Sequence, residues 1–189
     1  MSTLTVYNKS SLIELIHRHA LELGDFTLAS GEQAHFYLDC RKLTLTGEGA
    51  NMIASGMLEL MRTDWPDAVG GMAIGADPIT ASIVTCAWQQ QKELRGFIVR
   101  KEQKEHGTGR QVEGPVQPGD RAVIVEDVVT TGGSSIKAIK YARQFGLEID
   151  RIIAIVDRQQ GASERFAEID VQLESLVRLD ELDIPDKRG

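Results

Sequence analysis

Short apolar runs alternate with amphipathic patterns along most of the chain. Apolar residues recur at the spacing of a helix face over residues 11–23, 47–62 and about 80–93, and again after residue 135. Strand-like runs cover residues 26–44, 68–75, 96–100, 121–127 and 151–157. This alternation is typical of the α/β fold class. It predicts a mostly parallel sheet that is covered by helices on both faces.

Local signals mark where several of these elements begin or end. Ser11 and Glu14 have the spacing of a capping box at the start of the first helix. Ser30-Gly31 predicts a turn inside the β-rich segment, and residues 101–119 have the composition of a polar loop. The chain shows no internal repeat, low-complexity segment or clear linker, so we expect residues 1–189 to form a single domain.

Composition narrows the possible classes of protein. The chain is 42% hydrophobic and 26% charged, which is ordinary for a globular domain with a core. Its formal net charge of -7 argues against a nucleic-acid-binding surface, so a site for an anionic ligand must be locally basic. No apolar run approaches the ~18 residues of a membrane span, and no membrane partner is expected. Two distant cysteines, Cys40 and Cys86, and the lack of a signal-peptide pattern predict a cytoplasmic protein with reduced thiols.

Two acids, Glu126 and Asp127, stand at the carboxyl end of a predicted buried strand, where parallel sheets bind ligands. The turn "TTGGSS" follows them, and small residues before a helix let backbone N–H groups approach a phosphate. A Gly-rich turn is common, however, and this one lacks the motifs of triphosphate and dinucleotide sites. The acids would repel a polyphosphate but suit neutral hydroxyls. We therefore infer a ribose phosphate as the ligand.

A second candidate lies in the polar loop. Arg100, Lys101, Lys104 and His106 place three fixed positive charges and one titratable group close together. They are the basic counterpart that an acidic protein needs in order to bind a pyrophosphate. The alternative is an ordinary solvated loop. The acids between the basic residues of "RKEQKEHGTG" favour this alternative, and the glycines argue against it.

Four segments resemble a known family. "VIVEDVVTTGGSS" resembles the phosphoribosyl-diphosphate (PRPP) signature of type I phosphoribosyltransferases, which some regulatory relatives share. "FTLASGEQAHFYLD", "VRKEQKEHGTG" and "VDRQQGASE" are similar to segments of the orotate phosphoribosyltransferases. The resemblance covers roughly residues 20–165 and decides between the two interpretations of the polar loop.

The resemblance implies a fold and a set of site residues. The fold is the type I phosphoribosyltransferase fold, with a central mostly parallel sheet and a small hood formed by about residues 1–45 and the C-terminal segment. The implied PRPP-binding residues are Arg100, Lys101, Lys104, His106, Glu126, Asp127, Val128, Val129, Thr130, Thr131, Gly132, Gly133 and Ser134. The implied catalytic residues among them are Lys101, Lys104, His106 and Asp127. The implied orotate-binding residues are Phe36, Tyr37, Thr130 and Arg158.

The resemblance also implies a reaction and partners. Orotate and PRPP would give orotidine 5′-monophosphate and pyrophosphate in pyrimidine biosynthesis. Mg²⁺ would be held mainly by PRPP, near Asp127, with no direct protein ligand assigned. The chain would form a homodimer in which the catalytic loop of one subunit covers the active site of the other. The chain departs from the family at Ala29 and Gly75, where many members have lysine, while Asp77-Pro78 matches one sub-branch.

Two alternatives to an orotate enzyme remain. One is a phosphoribosyltransferase for another base, as in purine salvage, against which the loop motif and "VDRQ" argue. The other is a non-catalytic PRPP-sensing regulator, which would have no need of "RKEQKEH".

Overall fold

The computed structural model describes residues 6–27, 33–102 and 111–184, without the side chains of residues 27, 33 and 34. Its helices are α1 (Lys9–Leu15), α2 (Arg41–Thr44), α3 (Gly47–Met61), α4 (Ala76–Gln89), α5 (Gly133–Phe145) and α6 (Ala162–Ala167). Its strands are β1 (Leu21–Thr27), β2 (Gln33–Leu38), β3 (Ala68–Met72), β4 (Arg95–Val99), β5 (Val112–Glu113), β6 (Arg121–Val129), β7 (Glu148–Asp157) and β8 (Gln172–Arg178). A π-helical turn (Ile16–Ala20) extends α1, and a 3-10 turn (Leu179–Leu182) follows β8.

The main sheet has six strands in the order β5-β4-β3-β6-β7-β8. All of its neighbouring strands are parallel except β5, which pairs antiparallel with the outer side of β4. The carboxyl ends of β3, β4, β6 and β7 therefore meet at one edge of the sheet. This arrangement confirms the α/β fold class and places the predicted site residues on β6 and β7 at a shared edge.

Both faces of the sheet are covered, because side chains alternate along each central strand. Val123 and Val125 of β6 pack on the face covered by α1, α3 and α4. Ala122 and Ile124 pack on the opposite face, against α5 and α6. The strand is therefore apolar from Ala122 to Val125, because neither of its faces meets solvent over these residues.

A second, smaller sheet consists of β1 and β2, which pair antiparallel with Leu23 opposite Phe36. The C-terminal part of the chain lies close to this N-terminal region. The ammonium of Lys9 is 2.6 Å from a carboxylate oxygen of Glu181, and the Tyr7 hydroxyl donates to the carbonyl of Leu176 at 3.3 Å.

The first helix differs from the sequence prediction. The predicted capping box at Ser11 and Glu14 is wrong, because Asn8 caps the helix by accepting the N–H of Ser11 at 2.9 Å. The helix begins two residues earlier than expected, and helical structure ends at Ala20 instead of residue 23. Leu21 and Leu23 belong to β1, where an apolar residue in every second position serves a strand equally well.

Other boundaries also differ. The strand predicted over 68–75 ends at Met72, and α4 begins at Ala76, four residues before the predicted start. The segment predicted as β-rich to residue 44 ends in helix α2, and the polar loop contains β5. Four of the helices and strands were not predicted: α2, β5, α6 and β8. Within the described ranges, no helix combines the length and the apolar character that crossing a membrane requires.

Candidate active site

The two predicted acids lie next to each other at the carboxyl end of β6 but in different surroundings. Glu126 is 5% exposed, and Asp127 is half-buried. One oxygen of Glu126 accepts the hydroxyl of Ser135 at 2.8 Å and that of Ser134 at 3.3 Å. Burial, followed by the nearby charge of Asp127, raises the pKa of Glu126 from 4.5 to about 7. Glu126 can therefore gain or lose a proton near neutral pH.

Asp127 forms part of the wall of a cavity of about 370 Å³ at this edge of the sheet. Its Oδ1 accepts the backbone N–H of Val128 at 2.8 Å. Gly75, at the start of α4, approaches the same carboxylate so closely that a Cβ there would be 3.2 Å from Oδ1. Tyr37, Lys101 and Ser134 also line the cavity. The cavity thus brings together residues from β2, from the turn before α4, from the loop after β4 and from the end of β6.

The Gly-rich turn connects β6 to α5 as predicted. Gly132 has a φ of 75°, and a Cβ there would lie 2.8 Å from the Phe166 ring, so glycine is required on both counts. Gly133 is the first residue of α5, and the carbonyl of Thr131 accepts a guanidinium N–H of Arg165 at 2.5 Å. The turn therefore presents the backbone N–H groups at the start of a 13-residue helix beside the cavity.

Val128, Val129 and Thr130 precede this turn. The Val129 side chain is buried, and its carbonyl accepts the backbone N–H of Arg158 at 2.9 Å. Val128 and Thr130 are half-buried. Val129 can therefore reach a ligand only through its backbone.

The predicted base-binding residues fall into two places. The guanidinium of Arg158 lies 4.8 Å from the centre of the Phe36 ring, and its Nε is buried without a hydrogen-bond partner. Burial lowers the pKa of Arg158. Tyr37 points to the other side of β2, because successive strand residues face opposite ways, and it lines the cavity with Asp127. The structure therefore brings Phe36 to Arg158 and separates Tyr37 from them.

Only the first part of the predicted basic loop is described. A guanidinium nitrogen of Arg100 is 4.0 Å from a carboxylate oxygen of Glu113, and Lys101 is exposed at the cavity. Lys104 and His106 lie outside the described residues, as do Ala29 and the turn predicted at Ser30-Gly31.

Sequence reasoning missed three residues of the site. Ser135 gives Glu126 its shorter hydrogen bond, although the predicted set ended at Ser134. Asp39 and Arg41 line the cavity beside Tyr37. The segment "DCRK" could have indicated the last two, because its charged residues Asp39 and Arg41 follow a strand and flank the apolar Cys40.

The donor set suits a magnesium ion that is held mainly by a substrate. No three or more His, Cys, Asp or Glu side chains are grouped to hold a metal in the part of the chain that the structure describes. Magnesium is commonly bound by one or two carboxylates together with substrate phosphates. Both acids line the cavity, but Glu126 is 5% exposed and accepts hydrogen bonds from two serines. Asp127 is half-buried and is therefore the acid that fits this role.

Comparison with known proteins identifies relatives along most of the chain. No protein-family model matches the sequence. The chain is 52% identical over 174 residues to the orotate phosphoribosyltransferase of Rhodopirellula baltica, which covers 89% of this chain and 90% of the relative. It is 40% identical over 177 residues to the orotate phosphoribosyltransferase of Aquifex aeolicus, with 92% and 97% covered. A crystal structure of Mycobacterium tuberculosis H37Rv orotate phosphoribosyltransferase in complex with PRPP matches with a TM-score of 0.79 and 30% identity, over 93% of this chain and 99% of that chain.

The structural likeness extends over most of both chains, and a Gly-rich turn follows β6. These two features define the class of the protein as the type I phosphoribosyltransferases. The sequence relatives narrow this class further. The chain belongs to the orotate phosphoribosyltransferase family, whose enzymes act in pyrimidine biosynthesis. The predicted resemblance is confirmed, and the orotate enzyme is favoured over an enzyme for another base and over a regulator.

Proposed function

We propose that the chain transfers the phosphoribosyl group of PRPP to orotate at the carboxyl edge of the main sheet. The observation that carries this proposal is the cavity that joins Asp127 to Lys101 beside the Gly-rich turn. This cavity supports the proposal because it has carboxylates that suit a sugar and a cation that suits a leaving pyrophosphate. A helix start that suits a phosphate lies beside it.

The proposed roles follow from the chemistry of each group. Glu126 and Asp127 bind the ribose hydroxyls, while residues 130–134 surround the 5′-phosphate with backbone N–H groups and hydroxyls. Arg100 and Lys101, with Lys104 and His106 from the loop, bind the pyrophosphate. Arg158 pairs with orotate, which carries a carboxylate. Phe36 and Thr130 complete the pocket for orotate, and Tyr37 contacts the substrates from the side of the cavity.

The reaction is a substitution at the anomeric carbon with inversion. A ring nitrogen of orotate forms the new bond as the bond to pyrophosphate breaks, and its proton leaves to solvent or to the pyrophosphate. The sugar carries positive charge between the two events. Arg100, Lys101, Lys104 and protonated His106 stabilise the negative charge that grows on the departing pyrophosphate. In this proposal the loop between β4 and β5 excludes water, which would otherwise hydrolyse the activated sugar. No nucleophilic side chain is needed.

Magnesium supplies additional neutralisation of the pyrophosphate when it is bound with PRPP. Asp127 is the residue that would contact it from the protein side, since its carboxylate lines the cavity. Arg100 and Lys101 bind the phosphate oxygens that remain.

The assembly is a homodimer, and the exposed face of α4 supports it. Ala81, Thr85 and Trp88 follow one another at helical spacing and are all exposed, Trp88 to 71%. Ile74, just before the helix, is 70% exposed and also lines the cavity. A second copy that covers this face would therefore lie beside the active site, where its catalytic loop can reach the substrate.

The chain forms one domain with a hood. Helix α1, the small β1–β2 sheet and the C-terminal turn belong to the hood. The ion pair of Lys9 with Glu181 supports the association of α1 with the C-terminal turn. A cytoplasmic location is supported by Cys40 and Cys86, which are both buried and free.

The test is to follow the absorbance of orotate in the presence of PRPP and Mg²⁺. Loss of orotate with release of pyrophosphate is expected. A panel of adenine, guanine, hypoxanthine and uracil should give no comparable product. Turnover of one of these bases without turnover of orotate would support the other-base enzyme, and turnover of none would support a PRPP-binding regulator.

A further inference from the structure

Arg41 is held rigidly at the wall of the cavity by the residues around it. It is the first residue of α2, a single helical turn between β2 and α3. Cys40 on one side and Leu43 on the other are completely buried in the main core. The backbone of Arg41 is therefore fixed, although its side chain is 52% exposed and lines the cavity.

Asp39 orients the Arg41 guanidinium through two hydrogen bonds. Nε of Arg41 donates to Oδ1 of Asp39 at 2.8 Å, and a terminal nitrogen donates to Oδ2 at 3.0 Å. The backbone N–H of Arg41 also donates to Oδ1 at 3.1 Å. The hydrogen bonds from Arg41 lower the pKa of Asp39, which keeps the pair charged. A guanidinium has five N–H donors, so about three remain for another acceptor.

The cavity needs a further cation if it is to hold a polyanion. Its described charged lining residues comprise three acids, Asp39, Glu126 and Asp127, and two bases, Arg41 and Lys101. Gly75 lines the cavity between Ile74 and α4 but has no side chain to offer. A side chain there would also press against Asp127, because a Cβ would be 3.2 Å from its carboxylate. Arg41 and Lys101 are thus the cations that the described wall provides.

We propose that Arg41 binds the diphosphate group of PRPP, with Asp39 as the residue that positions it. This inference rests on the proposed PRPP site. The planar donor set of arginine matches two phosphate oxygens at once, and a guanidinium that is already oriented loses little rotational freedom on binding. The diphosphate end is chosen over the 5′-phosphate because Arg41 lines the same cavity as Ala73–Gly75 and Lys101, whereas the Gly-rich turn is proposed to bind the 5′-phosphate.

The assignment separates Arg41 from its neighbour Lys42. The ammonium of Lys42 contacts the carboxylate of Glu22 on β1, so it is engaged with the small sheet. Arg41 is directed to the cavity instead. The two adjacent cations of "DCRK" therefore have different roles, and substitutions of Arg41 and Lys42 can be compared directly.

The experiment measures the binding of two product-like anions by calorimetry, inorganic pyrophosphate and ribose 5-phosphate, each with Mg²⁺. Arg41→Gln should weaken pyrophosphate binding by about tenfold or more, the usual effect of losing a charged hydrogen bond. Binding of ribose 5-phosphate should stay within about twofold, because its contacts lie at the Gly-rich turn. Arg41→Lys should fall between the wild type and Arg41→Gln, and Asp39→Asn should also weaken pyrophosphate binding.

Lys42→Gln is the matched control, since it removes the adjacent cation and should leave both affinities unchanged. Unchanged pyrophosphate affinity in a folded Arg41→Gln protein would overturn the proposal, and so would an equal loss for the two anions. If Arg41→Gln does not fold, the same comparison is made with Arg41→Lys. A wild-type protein that binds neither anion would overturn the proposed PRPP site itself, which distinguishes that failure from a wrong role for Arg41.

Discussion

The guanidinium of Arg158 lies over the ring of Phe36, 4.8 Å from its centre, and this contact joins the main sheet to the small N-terminal sheet. Arg158 follows β7, and Phe36 belongs to β2. The buried Nε of Arg158 has no hydrogen-bond partner, and burial lowers the pKa of its guanidinium. In the proposed site, this cation, which is stacked on a ring and lacks a hydrogen-bond partner at Nε, receives the planar anion orotate.

Arg158→Ala should raise the Michaelis constant for orotate by about tenfold or more while that for PRPP stays nearly constant. The reason is that, in the proposed site, Arg158 and Phe36 form the base pocket, away from the sugar. Steady-state kinetics with each substrate varied in turn would measure both constants. Arg18→Ala removes an exposed arginine on the turn after α1 and is the control. Equal effects on the two Michaelis constants would show that Arg158 supports the fold or the sugar site.

Asp127→Asn should lower turnover by about 100-fold or more and leave the melting temperature nearly unchanged. The Oδ1 atom of asparagine can still accept the N–H of Val128, which Asp127 accepts at 2.8 Å, so the local backbone is preserved. The charge at the cavity is lost. Asp150→Asn, at an exposed position of β7, is the control for a lost charge. Normal kinetics combined with a large drop in melting temperature would indicate a structural role.

Glu126 should make the protein less stable as the pH rises through neutrality. Its pKa is raised to about 7 in the folded chain, against 4.5 for an ordinary glutamate. The folded state therefore holds a proton that the unfolded state has lost, and stability falls as pH rises between these two values. The free energy of unfolding should decline by on the order of 2–3 kcal/mol across this window.

Glu126→Gln removes this titration, so its free energy of unfolding should change less with pH than that of the wild type. Urea unfolding at pH 5, 6, 7 and 8 gives the measurement. Glu168→Gln, at an exposed position after α6, should retain the full pH dependence of the wild type. Parallel curves for wild type and Glu126→Gln would mean that Glu126 is ionised throughout.

Much of the fold follows from local sequence patterns. The central strands are recognisable because both of their faces are buried, so that residues 122–125 and 152–156 are uninterrupted apolar runs. The acid pair stands out for the same reason, since Glu126 ends such a run. Strand β8 was missed because its pattern is mixed, with Leu173, Glu174 and Ser175 all half-buried at the edge of the sheet.

The rest of the site depends on contacts between distant segments. Nothing local distinguishes Arg41 from Lys42, and the difference arises because β1 offers Glu22 to one and the cavity is open to the other. In the same way, Phe36 and Tyr37 are adjacent in sequence, but the alternation of β2 sends them to different places. Sequence motifs predicted the chemistry of the site, whereas the packing of the small sheet decides which side chains reach the cavity.

Lys104→Ala should reduce turnover far more than it reduces PRPP binding. We expect the lysine of the catalytic loop to act mainly when the loop is closed over the reacting substrates, so its loss affects the transition state more than the ground state. Turnover at saturation and PRPP affinity by calorimetry would be compared. A large loss of PRPP affinity with unchanged turnover at saturation would mean that Lys104 only binds PRPP in the ground state.

A mixture of two inactive variants should recover activity if the dimer shares its sites. Each site would then take Lys104 from one subunit and Asp127 from the other, so Lys104→Ala and Asp127→Ala chains would each be nearly inactive alone. In a mixed dimer, one site carries both changes and the other carries neither. With random pairing, half of the dimers are mixed and half of their sites are intact, so activity should reach roughly a quarter of the wild-type value.

The experiment is to denature the two variants together, refold them and assay, with mixed dimers verified by mass. Trp88→Glu, which places a charge on the exposed face of α4, should shift the protein to monomers and abolish the recovery. Refolding each variant alone gives the baseline. Verified mixed dimers without recovered activity would mean that each subunit closes its loop over its own substrate, and the homodimer would then have a structural purpose only.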